Sequence, residues 1–180
     1  MIAYKFTRRG ASAPFSAFAW PPPSATEPGA WVEIDEPLAT CRSGLHLCRV
    51  ADLPYWLSDE LFEAEIDGEP LASSTALVAR RARLVRRIET WNDQNKLDFA
   101  HRCVERARAN LAGAAQRLES AAAYVEEAAR WAANGGHVVA AYAAALAHAA
   151  QARGPIEQMN AAFHLERVEQ GRLLASLLGL

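Results

Sequence analysis

Cys41, His46 and Cys48 place two thiols and an imidazole within the eight residues Cys41-Arg-Ser-Gly-Leu-His-Leu-Cys48. Such groups bind zinc when they converge at about 2.0–2.3 Å on a tetrahedral ion, and a structural site takes four of them. His101 or Cys103 would supply the fourth. The spacing is not that of a zinc finger and lacks paired C-x2-C knuckles, so zinc at Cys41, His46 and Cys48 stands as an alternative. A cysteine nucleophile with His46 as its base is a second chemistry. Nucleophile and base usually come from distant segments, however, and no orienting Asn or Asp is evident. The spacing favours a reduced cysteine pair packed in a small core, with His46 hydrogen-bonded to backbone. The total of three cysteines is odd, which fits a reduced compartment better than a disulfide framework.

Arg80, Arg81, Arg83, Arg86 and Arg87 form the most basic stretch. A phosphate or RNA contact would use them. The plainer reading is a strand face or edge kept soluble by charge and neutralised by nearby acids. No aromatic residues are interleaved to stack on bases, and the net charge of -2 argues against a general nucleic-acid binder. Glu33, Asp35 and Glu36 read as a solvated acidic edge. The prolines at 21–23 favour polyproline II, as a stiff connector or a docking surface. The four remaining histidines, His101, His137, His148 and His164, follow no metal-motif spacing. Val138 to Ala150, the most apolar run, spans 13 residues and includes His148. A membrane span needs about 18 or more apolar residues, and the first residues lack a secretory leader, so a soluble, cytoplasmic chain is expected.

The elements that must carry these residues fall into two compositional halves. Eight of nine prolines and four of five tryptophans precede residue 92, whereas 25 alanines lie in 92–180 against 14 in 1–91. Alanine has the highest helix propensity and lets helices approach closely. The fold class is therefore α+β. Residues 1–91 are expected to form a small mixed or antiparallel sheet, and 92–180 an alanine-rich antiparallel bundle of three helices. Alternation predicts strands over Ile2–Thr7, Trp31–Ile34, Leu45–Cys48 and Leu61–Ile66, with Asp52 capping a helical turn over Leu53–Leu61. Residues 75–91 fit both a helical and an alternating period. Leu97, Val104, Leu111, Leu118 and Val125 recur every seven residues and predict a helix from Asn92 or Asp93 through Trp131, with a break near Gly113. His137–Arg153 and Ile156–Leu178 follow as helices, the last with Phe163, Val168, Leu174 and Leu178 as core.

Cys41-x-x-Gly44-Leu45-His46-x-Cys48 precedes Leu53-Pro54-Tyr55-Trp56, an E-x-E-x-x-G strand (Glu63 to Gly68) and Val78-Ala-Arg-Arg81. This order resembles an uncharacterised group of phage and high-GC bacterial proteins with a C-x-x-G-[LF]-H-x-C signature, over residues 2–91. The tail, with Glu166-Arg167-x-x-Gln170, is similar to that of some bacterial members. The resemblance implies strands over 75–88 and no mechanism. A fainter similarity is to small ADP-ribosyltransferase-like folds. It implies a nicotinamide dinucleotide at His46, with Tyr55 as a stacking ring and no clear counterpart to the catalytic glutamate.

The function expected from these readings is a non-catalytic protein-interaction or assembly module without a cofactor. Its partner would be another protein, or a second copy engaged through the helical half, with no membrane and no nucleic acid. The alternatives are a nucleotide-binding or ADP-ribosyltransferase-like domain using NAD at His46 and Tyr55, and the zinc site.

Overall fold

The computed structural model describes residues 1–16, 18–114, 116 and 118–180. The chain divides into two compact units, Met1–Trp91 with Leu180, and Asn92–Gly179.

The N-terminal unit holds two small antiparallel sheets among its described residues. β1 (Ile2–Thr7), β2 (Val32–Glu33), β4 (Glu60–Asp67) and β7 (Arg81–Arg87) form one, in the order β1-β4-β7-β2. β3 (Leu45–Leu47), β5 (Leu71–Ala72) and β6 (Leu77–Ala79) form the other, in the order β3-β6-β5. Most of residues 75–88 is therefore strand, in β6 and β7, and none of it is helix. A bulge explains their double periodicity. Glu63 faces Arg86 but Ala64 faces Leu84, so Val85 is an extra residue and alternation fails there. Leu84, Ile88 and Trp91 all remain buried across the break, at a spacing that also fits a helix.

The two sheets are stitched by one backbone pair. The Tyr4 amide donates to the Cys48 carbonyl at 2.8 Å and the Cys48 amide returns to the Tyr4 carbonyl at 2.9 Å. Ala3, Trp20, Leu45, Leu47, Phe62, Ala64 and Leu84 pack into a shared core. Asp52 is not an N-cap. It sits inside a short 3-10 helix, Val50–Tyr55, where its carboxylate accepts from the Arg49 amide and the Arg49 guanidinium.

The solvated face of the four-stranded sheet disposes of the basic stretch. Glu63, Glu65 and Asp67 stand directly opposite Arg86, Arg83 and Arg81. Arg83 donates twice to Glu65, at 2.6 and 2.8 Å, Arg86 donates to Glu63 at 2.6 Å, and Arg81 donates to Asp67. Arg87 lies 3.5 Å from Glu60, and Arg80 donates to the Ile34 and Asp35 carbonyls. The Trp31 ring covers the Arg81 and Arg83 guanidinia at 4.3 and 4.5 Å. Cross-strand pairs of this kind contribute roughly 0.2–1 kcal/mol each. Arg81, Arg83, Arg86 and Arg87 are thus neutralised in place by carboxylates, and Arg80 is held by carbonyls.

The C-terminal unit has four helices among its described residues, not three: α1 (Asp93–Gly113), α2 (Glu119–Ala133), α3 (His137–Ala152) and α4 (Ile156–Leu178). The seven-residue seam does not run through, because Leu118 is extended backbone at the start of α2. The Asn92 side chain caps α1 by accepting from the Asn95 amide at 3.0 Å. α3 packs against each of the other three helices, and it buries alanines on every side. Without larger side chains to hold neighbours away, it can sit at the centre of the unit.

The buried face of α4 differs from expectation. Leu174 and Leu178 are buried, but Val168 is exposed and Phe163 half-buried. Glu166, Arg167 and Gln170 are buried instead. Arg106 on α1 binds the Glu166 carboxylate through two nitrogens at 3.1 and 2.9 Å. Arg167 donates to Gln170, which donates in turn to the Ala141 carbonyl, each at 2.9 Å. Small alanines on α3 leave room that long polar side chains fill while finding partners.

Gly44 is the tightest point of the N-terminal unit. Its φ of +118° is one that L side chains rarely adopt, and a Cβ there would clash with Val78 Cγ1 and come within 2.9 Å of Leu38 Cδ2. Gly44→Ala is expected to cost about 2–4 kcal/mol of stability in urea unfolding. A loss below about 0.5 kcal/mol would mean that the turn is free to move.

Candidate functional site

The Cys41–Cys48 segment forms part of one wall of a cleft of about 850 Å³, which lies within the N-terminal unit. That volume is in the range of small-molecule sites. The segment turns at residues 39–43, where the Arg42 and Ser43 amides both donate to the Ala39 carbonyl and Cys41 takes a positive φ of 61°. β3 then runs out along β1, and the Tyr4–Cys48 pair fixes its register.

His46 closes this turn with its ring. The Cys41 amide donates to Nε2 at 3.0 Å, and Nδ1 lies 3.1 Å from the Gly44 carbonyl. An accepting Nε2 requires the proton on Nδ1, which then donates to Gly44, so the ring is neutral and both nitrogens are engaged. Burial lowers the His46 pKa, with the nearby Lys5 charge adding to the effect and the Gly44 hydrogen bond opposing it.

The three sulfur and nitrogen groups do not meet. Cys41 is exposed and Cys48 buried. The Cys48 thiol donates to the Tyr4 carbonyl at 3.4 Å, and burial pushes its pKa up to about 12. A thiol so held is neither a ready ligand nor a ready nucleophile. Among the described residues no group of three His, Cys, Asp or Glu side chains is placed to hold a metal. As placed, both His46 nitrogens face backbone groups and the Cys48 thiol is buried on the Tyr4 carbonyl, so these side chains do not present a ready zinc ligand set. Cys103, offered as a fourth ligand, is buried, and burial raises its pKa.

Aromatic rings build the rest of the cleft. Phe15 meets Trp56 edge to face at 6.4 Å, and Phe18 meets Trp20 likewise at 5.7 Å. Trp56 is held by donation from its indole nitrogen to the Thr75 carbonyl at 2.6 Å. Tyr55, the other residue singled out for a nucleotide, lines the same cleft as His46. Among the described residues no Asp or Glu lines it, and the cationic side chains that do are Lys5 and Arg42.

Lys5 was not legible as a site residue. In the strand pattern Ile2, Tyr4 and Phe6 share one face, and Lys5 falls on the other with Ala3 and Thr7. That face looks solvated from Lys5 alone, yet Ala3 and Thr7 are almost fully buried and Lys5 is 9% exposed. Its ammonium donates to the His46 carbonyl at 2.7 Å and lies 5.8 Å from the centre of the Trp20 ring. Small neighbours at i−2 and i+2 were the available signal. Comparison with protein-family models, curated proteins and solved structures finds no match to this chain.

The folded His46 resists protonation more than the unfolded chain does, and so does His148, which burial shifts downward although the Glu166 carboxylate lies 3.3 Å away. Where folding lowers a histidine pKa, the unfolded state binds more protons. Stability is then present above the unfolded value, about 6.5, and is lost as pH falls through the folded one. The melting temperature is expected to drop between about pH 7.5 and pH 5.5, and His46→Gln to make that dependence shallower. An unchanged slope in the variant would contradict the engagement of both ring nitrogens.

Proposed function

We propose that the chain is a non-catalytic interaction and assembly module, and that the aromatic cleft of its N-terminal unit is the binding surface. The observation that carries this reading is the chemistry of the cleft wall. It has rings on several sides and no carboxylate, and its histidine has both nitrogens engaged by backbone. Acid–base chemistry needs a group that can take or release a proton within reach of a substrate. Lys5 on this wall has a pKa brought down to about 8 by burial, but its ammonium is held by the His46 carbonyl. A wall of rings supplies apolar area and stacking instead.

The helical unit has the assembly role in this proposal, with a second copy as the partner. Val138 and Tyr142 on α3, and Leu165 and Val168 on α4, are apolar pairs at helical spacing that stand exposed. No helix among the described residues is long and apolar enough to cross a membrane. A second reading, an NAD-binding domain, draws on the placement of His46 and Tyr55 in the same cleft.

Titration with neutral aromatic molecules such as indole, followed by tryptophan fluorescence, tests the cleft. Saturable binding is expected, weakened about tenfold by Trp56→Ala, which removes one ring of the wall. No saturation at millimolar ligand would contradict the proposal. A rise in melting temperature with NAD that is lost in both His46→Ala and Tyr55→Ala would favour the second reading. For the helical unit, sedimentation velocity is expected to show a dimer that Leu165→Glu dissociates, and a monomer at all concentrations would remove the assembly role.

A further inference from the structure

We propose that the cleft selects aromatic monocarboxylates, with the Lys5 ammonium as the partner of the carboxylate and the surrounding rings holding the ligand's apolar body. This deepens, and rests on, the reading of the cleft as a binding surface.

Lys5 carries a charge that has no counter-charge among the described residues. It lines the cleft and is nine-tenths removed from water. Its ammonium has three donors, of which one, among the described residues, is used on the His46 carbonyl at 2.7 Å. The Trp20 ring at 5.8 Å offers a second, weaker stabilisation. Among the described residues no carboxylate forms an ion pair with it, and the neighbouring Cys48 thiol stays protonated and neutral because burial pushes its pKa up to about 12. Burial brings the Lys5 pKa down to about 8, so the group remains mostly charged at neutral pH. Arg81, Arg83, Arg86 and Arg87 in this unit each face a carboxylate, and Arg49 faces Asp52. Arg8, Arg9, Arg42 and Arg80 are exposed to water. Lys5 is instead buried with no carboxylate partner among the described residues, on the wall of a cleft.

A buried cation with free donors is stabilised by an anion, and charge-assisted hydrogen bonds are about twice as strong as neutral ones. The apolar surroundings decide which anion. The cost of stripping water from an ion rises steeply with its charge, so a dianionic phosphate is disfavoured against a singly charged carboxylate. Arg42, the other cation on the wall, is exposed and adds favourable potential without enclosing the ligand. The rings of Phe18, Trp20 and Trp56 then favour a planar aromatic body over a flexible chain, because stacking adds to area burial. The cavity volume leaves room for two fused rings.

The test compares 2-naphthoate with 2-naphthamide, which share a ring system and differ in charge. Binding is measured by calorimetry on the full chain, and its place is read from the indole N–H signals of Trp20 and Trp56. The naphthoate is expected to bind about tenfold more tightly than the amide, with both indole signals shifted. Lys5→Met, which keeps the apolar stem and removes the charge, is expected to abolish the difference while leaving amide binding within about twofold. The wild-type comparison stands even if the variant fails to fold. Equal or tighter binding of the amide would overturn the carboxylate preference and leave the aromatic cleft intact. No binding of either compound would overturn both readings. A preference that persists in a folded Lys5→Met protein would remove Lys5 as the anion's partner.

Discussion

One antiparallel backbone pair, Tyr4 with Cys48, sets the geometry of the N-terminal unit. Among the described residues it joins two sheets that share no other ladder, and it fixes where β3 lies along β1. Everything near the cleft follows from that register. His46 lies two residues before Cys48, so its carbonyl comes over the Lys5 ammonium. Its ring faces back across the turn, where the Cys41 amide and Gly44 carbonyl engage it. The signature of two thiols and an imidazole is thereby a folding device. Cys48 fills buried space, His46 closes a turn, and Gly44 supplies the backbone angle that permits the turn. In the proposed function, binding falls to residues that the signature positions, chiefly rings and one lysine.

The α+β class could be read from alternation in Ile2–Thr7 and Leu61–Ile66 and from the alanine excess after residue 92. Those signals are local, and local propensity agrees with the final fold. Residues 77–87 were harder, because the extra residue at Val85 shifts the strand's phase, and a shifted period of two can pass for a helical one. The break between α1 and α2 was marked by Gly113, yet the seven-residue recurrence ran across it, and recurrence alone cannot report a change of chain direction. The face of α4 was misassigned because Val168 and Phe163 are apolar. Glu166, Arg167 and Gln170 are polar but could be buried, since each finds a partner on its own or another helix. Satisfied polar groups carry little of the cost that pattern-reading assigns to them.

The cleft itself was only partly legible. His46 and Tyr55 were picked out and do share it with Phe15, Phe18 and Trp20. Their convergence depends on contacts between segments far apart in the chain, such as Phe15 with Trp56, and sequence spacing carries no information on those. The arginine cluster shows the opposite case. Its sequence reads as a basic patch, and the fold aligns each of its members on β7 with an acid on a neighbouring strand or chain segment. Two of the cations in this unit, Lys5 and Arg42, lie on the cleft wall.

The central claim is that the His46 ring is committed to backbone and remains neutral with its proton on Nδ1. Long-range 1H–15N correlation of the imidazole nitrogens at neutral pH reads this directly. The account expects a protonated Nδ1, a bare Nε2, and titration below the ordinary value of about 6.5. A ring protonated on Nε2, or one that titrates at or above that value with averaged nitrogen signals, would contradict it.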